Sequence, residues 1–170
     1  AELWQKVTGH HLTEAYGLTE SSPGACAMPL GAPWDGTVGL PLPSTDISIR
    51  DDNFRELPVW SGAGKIEAHT GELCIRGPQV MKGYWNNAAE TAEAMRDGWL
   101  KTGDICHVDA LGRVTITDRK KDMILVSGFN VYPTEVESVV AAHPGVLECA
   151  VIGVPDERSG EAVKVLIVRK

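Results

Sequence analysis

Between residues 37 and 118 the sequence consists of short runs typical of β-strands, each bounded by turn residues, and this pattern restricts the fold more than any other feature. The runs alternate in polarity or are rich in β-branched residues. They are STDISIR from Ser44, GELCIRG from Gly71, DICHVD from Asp104 and RVTITD from Arg113. The tetrapeptide DALG between the last two is typical of a hairpin turn. The pattern predicts a small antiparallel barrel or sandwich.

One helix interrupts this β-rich stretch. Asn87 is expected to be its N-cap, and Glu90 three residues later completes the pattern of a capping box, in which the two side chains reciprocally satisfy free backbone donors. The helix is predicted to end near Asp97-Gly98.

The flanking segments combine helices with strands. Residues 1–8 are expected to be the end of a helix, followed by a strand that ends at Tyr16-Gly17, and residues 21–33 predict a loop because they are rich in Ser, Pro and Gly. Residues 123–128 predict a strand, which is followed by a loop and then by a helix from Pro133, a residue favoured in the first turn. Two strands close the chain, LECAVIGV and EAVKVLIV.

Composition excludes several classes of protein. The chain has 170 residues, of which 43% are hydrophobic, and 16 basic against 23 acidic side chains give a net charge of -7. Such a chain is soluble and globular in character, and it lacks the basic surface that nucleic acids select. No apolar run approaches the ~18 residues of a membrane span. The four cysteines show no metal-ligand spacing, which is typical of reduced thiols in a cytoplasmic protein.

The stretch YGLTE places a ring, a glycine, a hydroxyl and a carboxylate within five residues. The ring of Tyr16 suits stacking on a flat base, and Gly17 suits close approach of backbone. Thr19 could donate to a phosphate oxygen, and Glu20 could bind a hard divalent cation. Together these roles describe a nucleotide with its magnesium. Ordinary turn chemistry is the alternative interpretation.

Two further charged motifs are candidates for nucleotide contacts. In KTGD the carboxylate of Asp104 suits the vicinal hydroxyls of a ribose, although a solvated turn aspartate is the alternative. The cluster DRKKD at residues 118–122 is either a solvated charged turn or a flexible junction between two units. In a junction, the planar donors of Arg119 suit a ribose or phosphate oxygen.

These motifs occur in an order that resembles the adenylate-forming superfamily of acyl-CoA synthetases, luciferases and peptide-synthetase adenylation domains. The order is YGLTE, GEL with IRGPQVMKGYW, DGWLKTGD, and GRVTITDRKKDMILVSGFNVYPTEVE. The segment from Asp97 to Lys121 resembles the fatty-acyl ligase signature, and VSGFNVYP is similar to the branch of bacterial long-chain fatty-acid CoA ligases.

The resemblance implies an α+β fold in several subdomains. Residues 1–36 would be the end of the large α/β adenylation subdomain, and residues 37–120 its antiparallel β-barrel-like subdomain. Residues 121–170 would begin a small, mobile α+β C-terminal lid domain and are expected to be incomplete.

The resemblance also implies a two-step reaction. A fatty acid and ATP, with Mg²⁺, give an acyl-adenylate and pyrophosphate, and CoA then displaces AMP to give acyl-CoA. Fatty acid, ATP and CoA would be the partners, with no nucleic acid. The family implies a cytoplasmic location and leaves open a peripheral association with the inner face of the cell membrane. Acyl chain length and oligomeric state are not implied.

By resemblance, individual residues receive roles. Tyr16 would stack on adenine, Gly17 would belong to the ATP/AMP site, Thr19 would contact a phosphate, and Glu20 would bind magnesium. Asp104 and Arg119 would hold the ribose. Lys121 would be the hinge of the small domain. The backbone of Gly128, Phe129 and Asn130 would line the channel for the pantetheine arm of CoA. Among these, Thr19, Glu20 and Lys121 are assigned to catalysis.

Two family features have no counterpart in this sequence, namely the Ser/Thr/Gly-rich phosphate loop upstream of YGLTE and the catalytic lysine in a Gly-Lys context. Lys164 and Lys170 do not match that context. We therefore expect a piece of a longer ligase that holds about half of an active site and is inactive alone. Two alternatives stay open: a peptide-synthetase adenylation domain, and a non-catalytic nucleotide-binding or interaction module derived from the family.

Overall fold

The computed structural model describes residues 2–170. It contains two compact units, of which one ends at Ile116 and the other begins at Thr117. Each unit is described by itself below. The boundaries expected after residues 36 and 120 stay predictions.

The first unit contains two antiparallel sheets. A three-stranded sheet has the order β1-β2-β3, formed by Ala15–Gly17, Gly24–Ala27 and Leu40–Pro41. A five-stranded sheet has the order β4-β5-β7-β6, with β8 also paired to β7. Its strands are β4 at Asp46–Arg50, β5 at Gly71–Arg76, β6 at Met95–Arg96, β7 at Trp99–Val108 and β8 at Val114–Arg119, of which residues 117–119 belong to the second unit. Helix α1 spans Glu2–Thr8 and helix α2 spans Ala88–Ala94.

One apolar cluster joins the two sheets of the first unit. Alternate side chains of β5 and β7 point into it, because successive residues of a strand face opposite sides. Its fully buried members come from β2, β5, β7 and β8, and they include Cys26, Leu73, Ile75, Cys106 and Val114. The four predicted β-runs are all strands, so the expected antiparallel β-fold and the mixed α+β class are confirmed.

Two predictions in this unit were wrong in detail. Residues 21–33 are not wholly loop, because β2 pairs with both β1 and β3 and buries Ala25 and Cys26 completely. Helix α2 ends at Ala94 instead of near Asp97-Gly98, since Met95–Arg96 leave the helix and pair with β7. Asp97 and Gly98 form the turn of that hairpin, and both have positive φ.

The expected N-cap of α2 is confirmed. The side-chain oxygen of Asn87 accepts a hydrogen bond from the backbone N–H of Glu90 at 3.1 Å. The reciprocal half of the capping box is replaced, because the backbone N–H of Asn87 donates to the carbonyl of Tyr84 at 3.3 Å. The helix is thereby tied to the chain that precedes it.

The second unit is a four-stranded sheet with one helix. The sheet order is β10-β9-β12-β11, formed by Phe129–Val131, Ile124–Val126, Gly160–Arg169 and Val146–Asp156. Helix α3, Pro133–Ala141, packs on β11. The predicted helix from Pro133 and the two predicted strands that close the chain are confirmed.

Residues 129–131 were expected to be loop and instead form β10. Strands β9 and β10 pair Val126 with Phe129 across the two residues Ser127 and Gly128. Both have positive φ, 51° and 84°. Two-residue hairpin loops of this kind match the twist of the flanking strands, which explains why a Ser-Gly pair ends one strand and starts the next.

Substitution of Gly17 by alanine should destabilise the first unit. A Cβ atom at Gly17 would lie 1.5 Å from the carbonyl oxygen of Pro23, and backbone cannot move aside as a flexible side chain can. Overpacking of this kind typically lowers the free energy of unfolding by about 1–3 kcal/mol. We expect the denaturant midpoint of Gly17→Ala to fall accordingly.

The matched control is Gly145→Ala, because a Cβ atom there meets only the His143 ring at 3.4 Å, an ordinary contact. Its midpoint should stay near that of the unsubstituted chain. Equal midpoints for the two variants would show that the approach of Pro23 to Gly17 does not require glycine.

Candidate functional site

A hydrogen bond joins the two motifs that were assigned to a nucleoside. The phenolic O–H of Tyr16, on β1, donates to Oδ2 of Asp104, on β7, at 2.6 Å. The two residues are separated by 88 positions in sequence. The structure therefore brings the candidate adenine contact and the candidate ribose contact into one place.

The bend that presents Asp104 is fixed by its neighbours. The backbone N–H of Asp104 donates to the Thr102 hydroxyl at 3.1 Å, and that hydroxyl donates to the carbonyl of Leu73 at 2.8 Å. These two bonds restrict the backbone at Asp104. Gly103 has φ +74° and donates its N–H to the buried carboxylate of Glu72 at 3.2 Å. Strand β5 thus holds the KTGD bend from one side.

Burial and the neighbouring carboxylate change the titration of Tyr16. Burial raises the pKa of the Tyr16 phenol far above its ordinary value, and the hydrogen bond to Asp104 raises it further. The phenol is therefore a stable neutral donor at physiological pH. A neutral donor orients the carboxylate of Asp104 without cancelling its charge.

Thr19, Glu20 and Ser21 form a single 3-10 turn directly after β1. Thr19 is exposed, while Ser21 is fully buried. The Ser21 hydroxyl accepts from the N–H of Leu18 at 3.0 Å and lies 2.9 Å from the carbonyl of Pro23, to which it donates. Ser21 thus fixes the turn that presents Thr19 and Glu20. The sequence interpretation missed it, although a serine closing a polar turn is a recognisable signal.

Glu20 is held by a segment far away in sequence. Its carbonyl accepts from the N–H of Met81 at 2.8 Å, and its Oε1 accepts from the hydroxyl of Tyr84 at 2.7 Å. The sequence interpretation did not assign a role to Tyr84, because nothing in the local pattern shows which distant side chain it meets.

The donor set at Glu20 fits one mode of magnesium binding. Within residues 2–170, no group of three or more His, Cys, Asp or Glu side chains could hold a metal ion. Mg²⁺ is often bound through one or two carboxylates together with substrate phosphates and water, so a single carboxylate at Glu20 suits Mg²⁺ that arrives with a nucleotide. A cage built only from protein side chains does not fit this part of the chain.

A contact within the chain's own backbone requires glycine at position 17. The space of its missing Cβ is filled by the carbonyl of Pro23, at a point where the pairing of β1 with β2 shifts register. Its assigned role in the ATP/AMP site, where it would let the backbone approach the nucleotide, stays a prediction.

In the second unit, Arg119 ends β8 and Lys121 lies in the 3-10 turn Lys120–Asp122, and both are exposed. The neighbouring Asp118 was given no individual role. Its carboxylate accepts from the N–H of Arg119 at 2.7 Å and from the N–H of Thr134 at 3.0 Å. Asp118 therefore caps α3, whose own N-cap residue, Tyr132, makes no side-chain cap bond.

The candidate CoA residues form an exposed hairpin. Gly128 is the second residue of its turn, and Phe129 and Asn130 begin β10. Phe129 has 76% of its surface exposed. A Cβ at Gly128 would meet nothing within 4 Å, so the glycine is required by its φ of +84° and not by crowding within the chain.

The structure thus places Tyr16, Gly17, Thr19, Glu20 and Asp104 in the first unit, with Tyr16 and Asp104 in direct contact. Arg119, Lys121 and the hairpin lie in the second unit. The role of each residue stays a prediction. None of the helices within residues 2–170 has the length and apolar character needed to cross a membrane.

Comparisons with known proteins identify the same family over both units. The sequence model described as AMP-binding enzyme matches residues 1–85. The model of the AMP-binding enzyme C-terminal domain matches residues 135–170. The resemblance drawn from the motifs is therefore confirmed.

Individual relatives agree with the family models. The chain is 55% identical to a long-chain-fatty-acid–CoA ligase of Yersinia pestis and 51% identical to one of Escherichia coli O6:H1, over 99% and 100% of this chain. It spans 29% of the length of each. A crystal structure of ATP-bound MatB from Rhodopseudomonas palustris matches with a TM-score of 0.86 and 40% identity, over 99% of this chain and 32% of that one.

The contact of Tyr16 with Asp104 predicts a specific dependence of stability on pH. Tyr16→Phe removes the donor and should lower the free energy of unfolding by about 1 kcal/mol at neutral pH. Because the folded phenol has a raised pKa, the unfolded chain loses the proton first as pH rises past about 10. The stabilisation by Tyr16 is therefore complete below that pH and decreases above it.

Denaturant unfolding of the unsubstituted chain and of Tyr16→Phe, each measured below and above about pH 10, checks this prediction. The difference between the two proteins at neutral pH is the internal control. A difference that stays constant across the alkaline range would contradict the linkage.

Proposed function

Because this chain belongs to the AMP-binding enzyme family, we propose that it is part of an ATP-dependent long-chain fatty-acid CoA ligase. In the proposed reaction, the carboxylate of a fatty acid attacks the α-phosphate of ATP, and pyrophosphate leaves. The thiol of CoA then attacks the acyl carbon, and AMP leaves. The similarity to long-chain ligases supports this choice of acid and acceptor.

The observation that carries the proposal is the hydrogen bond between Tyr16 and Asp104. An ionised carboxylate can accept about four hydrogen bonds, so Asp104 can take the Tyr16 phenol and two ribose hydroxyls together. The phenol fixes the carboxylate before the nucleotide arrives, which reduces the entropy lost on binding. The ring of the same tyrosine would contact adenine.

The turn after β1 would bind the phosphates of ATP and their Mg²⁺. The exposed hydroxyl of Thr19 can donate to a phosphate oxygen, and the adjacent Glu20 can take Mg²⁺ that arrives with ATP. When bound, Mg²⁺ would neutralise charge on the phosphate oxygens. The buried Ser21 hydroxyl, through its bonds to the backbone of Leu18 and Pro23, fixes the turn that carries both side chains.

The second unit would contribute to both half-reactions. Arg119 would contact the ribose, and Lys121 would be the hinge of the small domain. Lys121 suits a hinge because it is exposed and lies in a short turn none of whose residues is buried. The open hairpin at Gly128, Phe129 and Asn130 would line the pantetheine channel.

The whole activity belongs to the longer protein in this proposal, because the chain spans 29% of the relatives' length. Alone, the chain should be inactive, since further phosphate-binding groups are expected in other parts of the longer protein. Removal of one such positioned group typically lowers the catalytic rate by about 100-fold or more. We propose a cytoplasmic enzyme, and docking at the inner face of the membrane would suit a substrate that partitions into lipid.

Acid-dependent exchange of pyrophosphate into ATP tests the proposal in the full-length protein. Palmitate should support exchange, and added CoA should then yield palmitoyl-CoA and AMP. An amino acid that supports exchange in place of palmitate would indicate a peptide-synthetase relative. Nucleotide binding with no exchange for any acid would indicate the non-catalytic module.

Asp104→Ala should weaken ATP binding by about 10-fold or more, because hydrogen bonds to a charged group are worth about 1.5–3 kcal/mol each. Adenylation and thioester formation should both slow, since the ribose is held through both steps. Asp46→Ala is the matched control, because it removes a carboxylate whose ion pair with Arg76 is exposed and worth little. ATP affinity equal to wild type in Asp104→Ala would refute the ribose contact.

Lys121→Pro should separate the two half-reactions. Proline fixes φ at the junction, so adenylation measured by pyrophosphate exchange should persist while acyl-CoA formation falls at least about 10-fold. Lys121→Ala, which removes the charge and keeps rotation free, should retain both steps. Equal losses of both steps in Lys121→Pro would show that Lys121 is structural and not a hinge.

A further inference from the structure

Glu20 is held at two points by one segment of the chain. The N–H of Met81 donates to the carbonyl of Glu20 at 2.8 Å, and the hydroxyl of Tyr84 donates to Oε1 of Glu20 at 2.7 Å. The first bond fixes the backbone of Glu20, and the second fixes its carboxylate. A glutamate on an exposed turn ordinarily keeps most of its rotamer freedom. Here Met81 and Tyr84, more than sixty residues away in sequence, restrict that freedom.

The backbone of Tyr84 is in turn fixed by the start of α2. Its N–H donates to the hydroxyl of Thr91 at 2.9 Å, and its carbonyl accepts from the N–H of Asn87 at 3.3 Å. The Thr91 hydroxyl itself donates to the carbonyl of Asn87 at 2.8 Å. Thr91 therefore connects the helix to the residue that holds Glu20.

Close packing at Gly83 strengthens this connection. Gly83 has φ +145°, and a Cβ atom there would lie 2.7 Å from Cγ2 of Thr91. The chain approaches the threonine so closely that only glycine fits between Lys82 and Tyr84. The backbone at Tyr84 is fixed by this packing and by its hydrogen bonds to Thr91 and Asn87.

We propose that Tyr84 is a positioning residue that orients the Glu20 carboxylate for the divalent cation of bound ATP, with Thr91 acting through Tyr84. The inference rests on the proposed function. The phenol anchors one carboxylate oxygen and limits rotation of the group, so that the carboxylate meets the cation in one orientation. As an uncharged donor, it leaves the negative charge of Glu20 available to the metal, which a lysine or arginine partner would not.

The dependence of adenylation on Mg²⁺ tests the proposal in the full-length ligase. Tyr84→Phe keeps the ring and removes only the donor. It should raise the Mg²⁺ concentration for half-maximal pyrophosphate exchange by about 10-fold, with kcat at saturating Mg²⁺ near that of wild type. Trp85→Phe is the matched control, because Trp85 is adjacent and 93% exposed, and it should leave the Mg²⁺ requirement unchanged.

Thr91 supplies a test by conservative rescue. Thr91→Val removes the hydroxyl that accepts from Tyr84 and should raise the Mg²⁺ requirement in the same direction as Tyr84→Phe. Thr91→Ser keeps the hydroxyl and should restore the wild-type requirement. In the double variant Tyr84→Phe/Thr91→Val, the two effects should not add, since Thr91 acts through Tyr84.

One measurement does not depend on turnover. Mn²⁺ binding in the presence of ATP, followed by electron paramagnetic resonance, should weaken about 10-fold in Tyr84→Phe.

The outcomes separate this inference from the proposed function. Mn²⁺–ATP binding in Tyr84→Phe equal to wild type would overturn the inference even in an active ligase. A wild-type protein that exchanges no pyrophosphate would contradict the proposed function, and in that case weaker Mn²⁺–ATP binding in Tyr84→Phe would still support the positioning role.

Discussion

The hydrogen bond from Tyr16 to Asp104 is the contact on which the candidate site depends. It joins β1 of the three-stranded sheet to β7 of the five-stranded sheet, at 2.6 Å and in a partly buried position. A partly buried hydrogen bond to a charged acceptor is worth more than an exposed one, because fewer water molecules compete for either group. The contact therefore orients a charged side chain and also links two layers of one unit.

The remaining contacts of the first unit extend the same principle of fixing polar groups before a ligand arrives. Ser21 closes the turn that carries Thr19 and Glu20, and strand β5 holds the bend at Asp104 through Leu73 and Glu72. Electrostatic groups that are already oriented lose little free energy to reorganisation when charge develops on a substrate. The proposed nucleotide site would use such preoriented groups.

The sequence predicted those parts of the fold that local patterns determine. The runs that became β4, β5, β7 and β8 carry the alternation or β-branching of a buried strand, and Asn87 carries the signal of an N-cap. Strand β2 was missed because its four small residues carry no periodicity and owe their burial to pairing with two other strands. The motifs identified Tyr16, Glu20 and Asp104 individually, but the contact of Glu20 with Tyr84 spans 64 residues and depends on tertiary packing.

A crystal structure of the full-length protein with bound ATP would test the central claim most directly, since it would show which groups contact the nucleoside. The account predicts both ribose hydroxyls within hydrogen-bonding distance of the Asp104 carboxylate, with the adenine ring against Tyr16 and the hydrogen bond between Tyr16 and Asp104 retained. A nucleotide bound elsewhere, with Asp104 exposed to solvent, would contradict it.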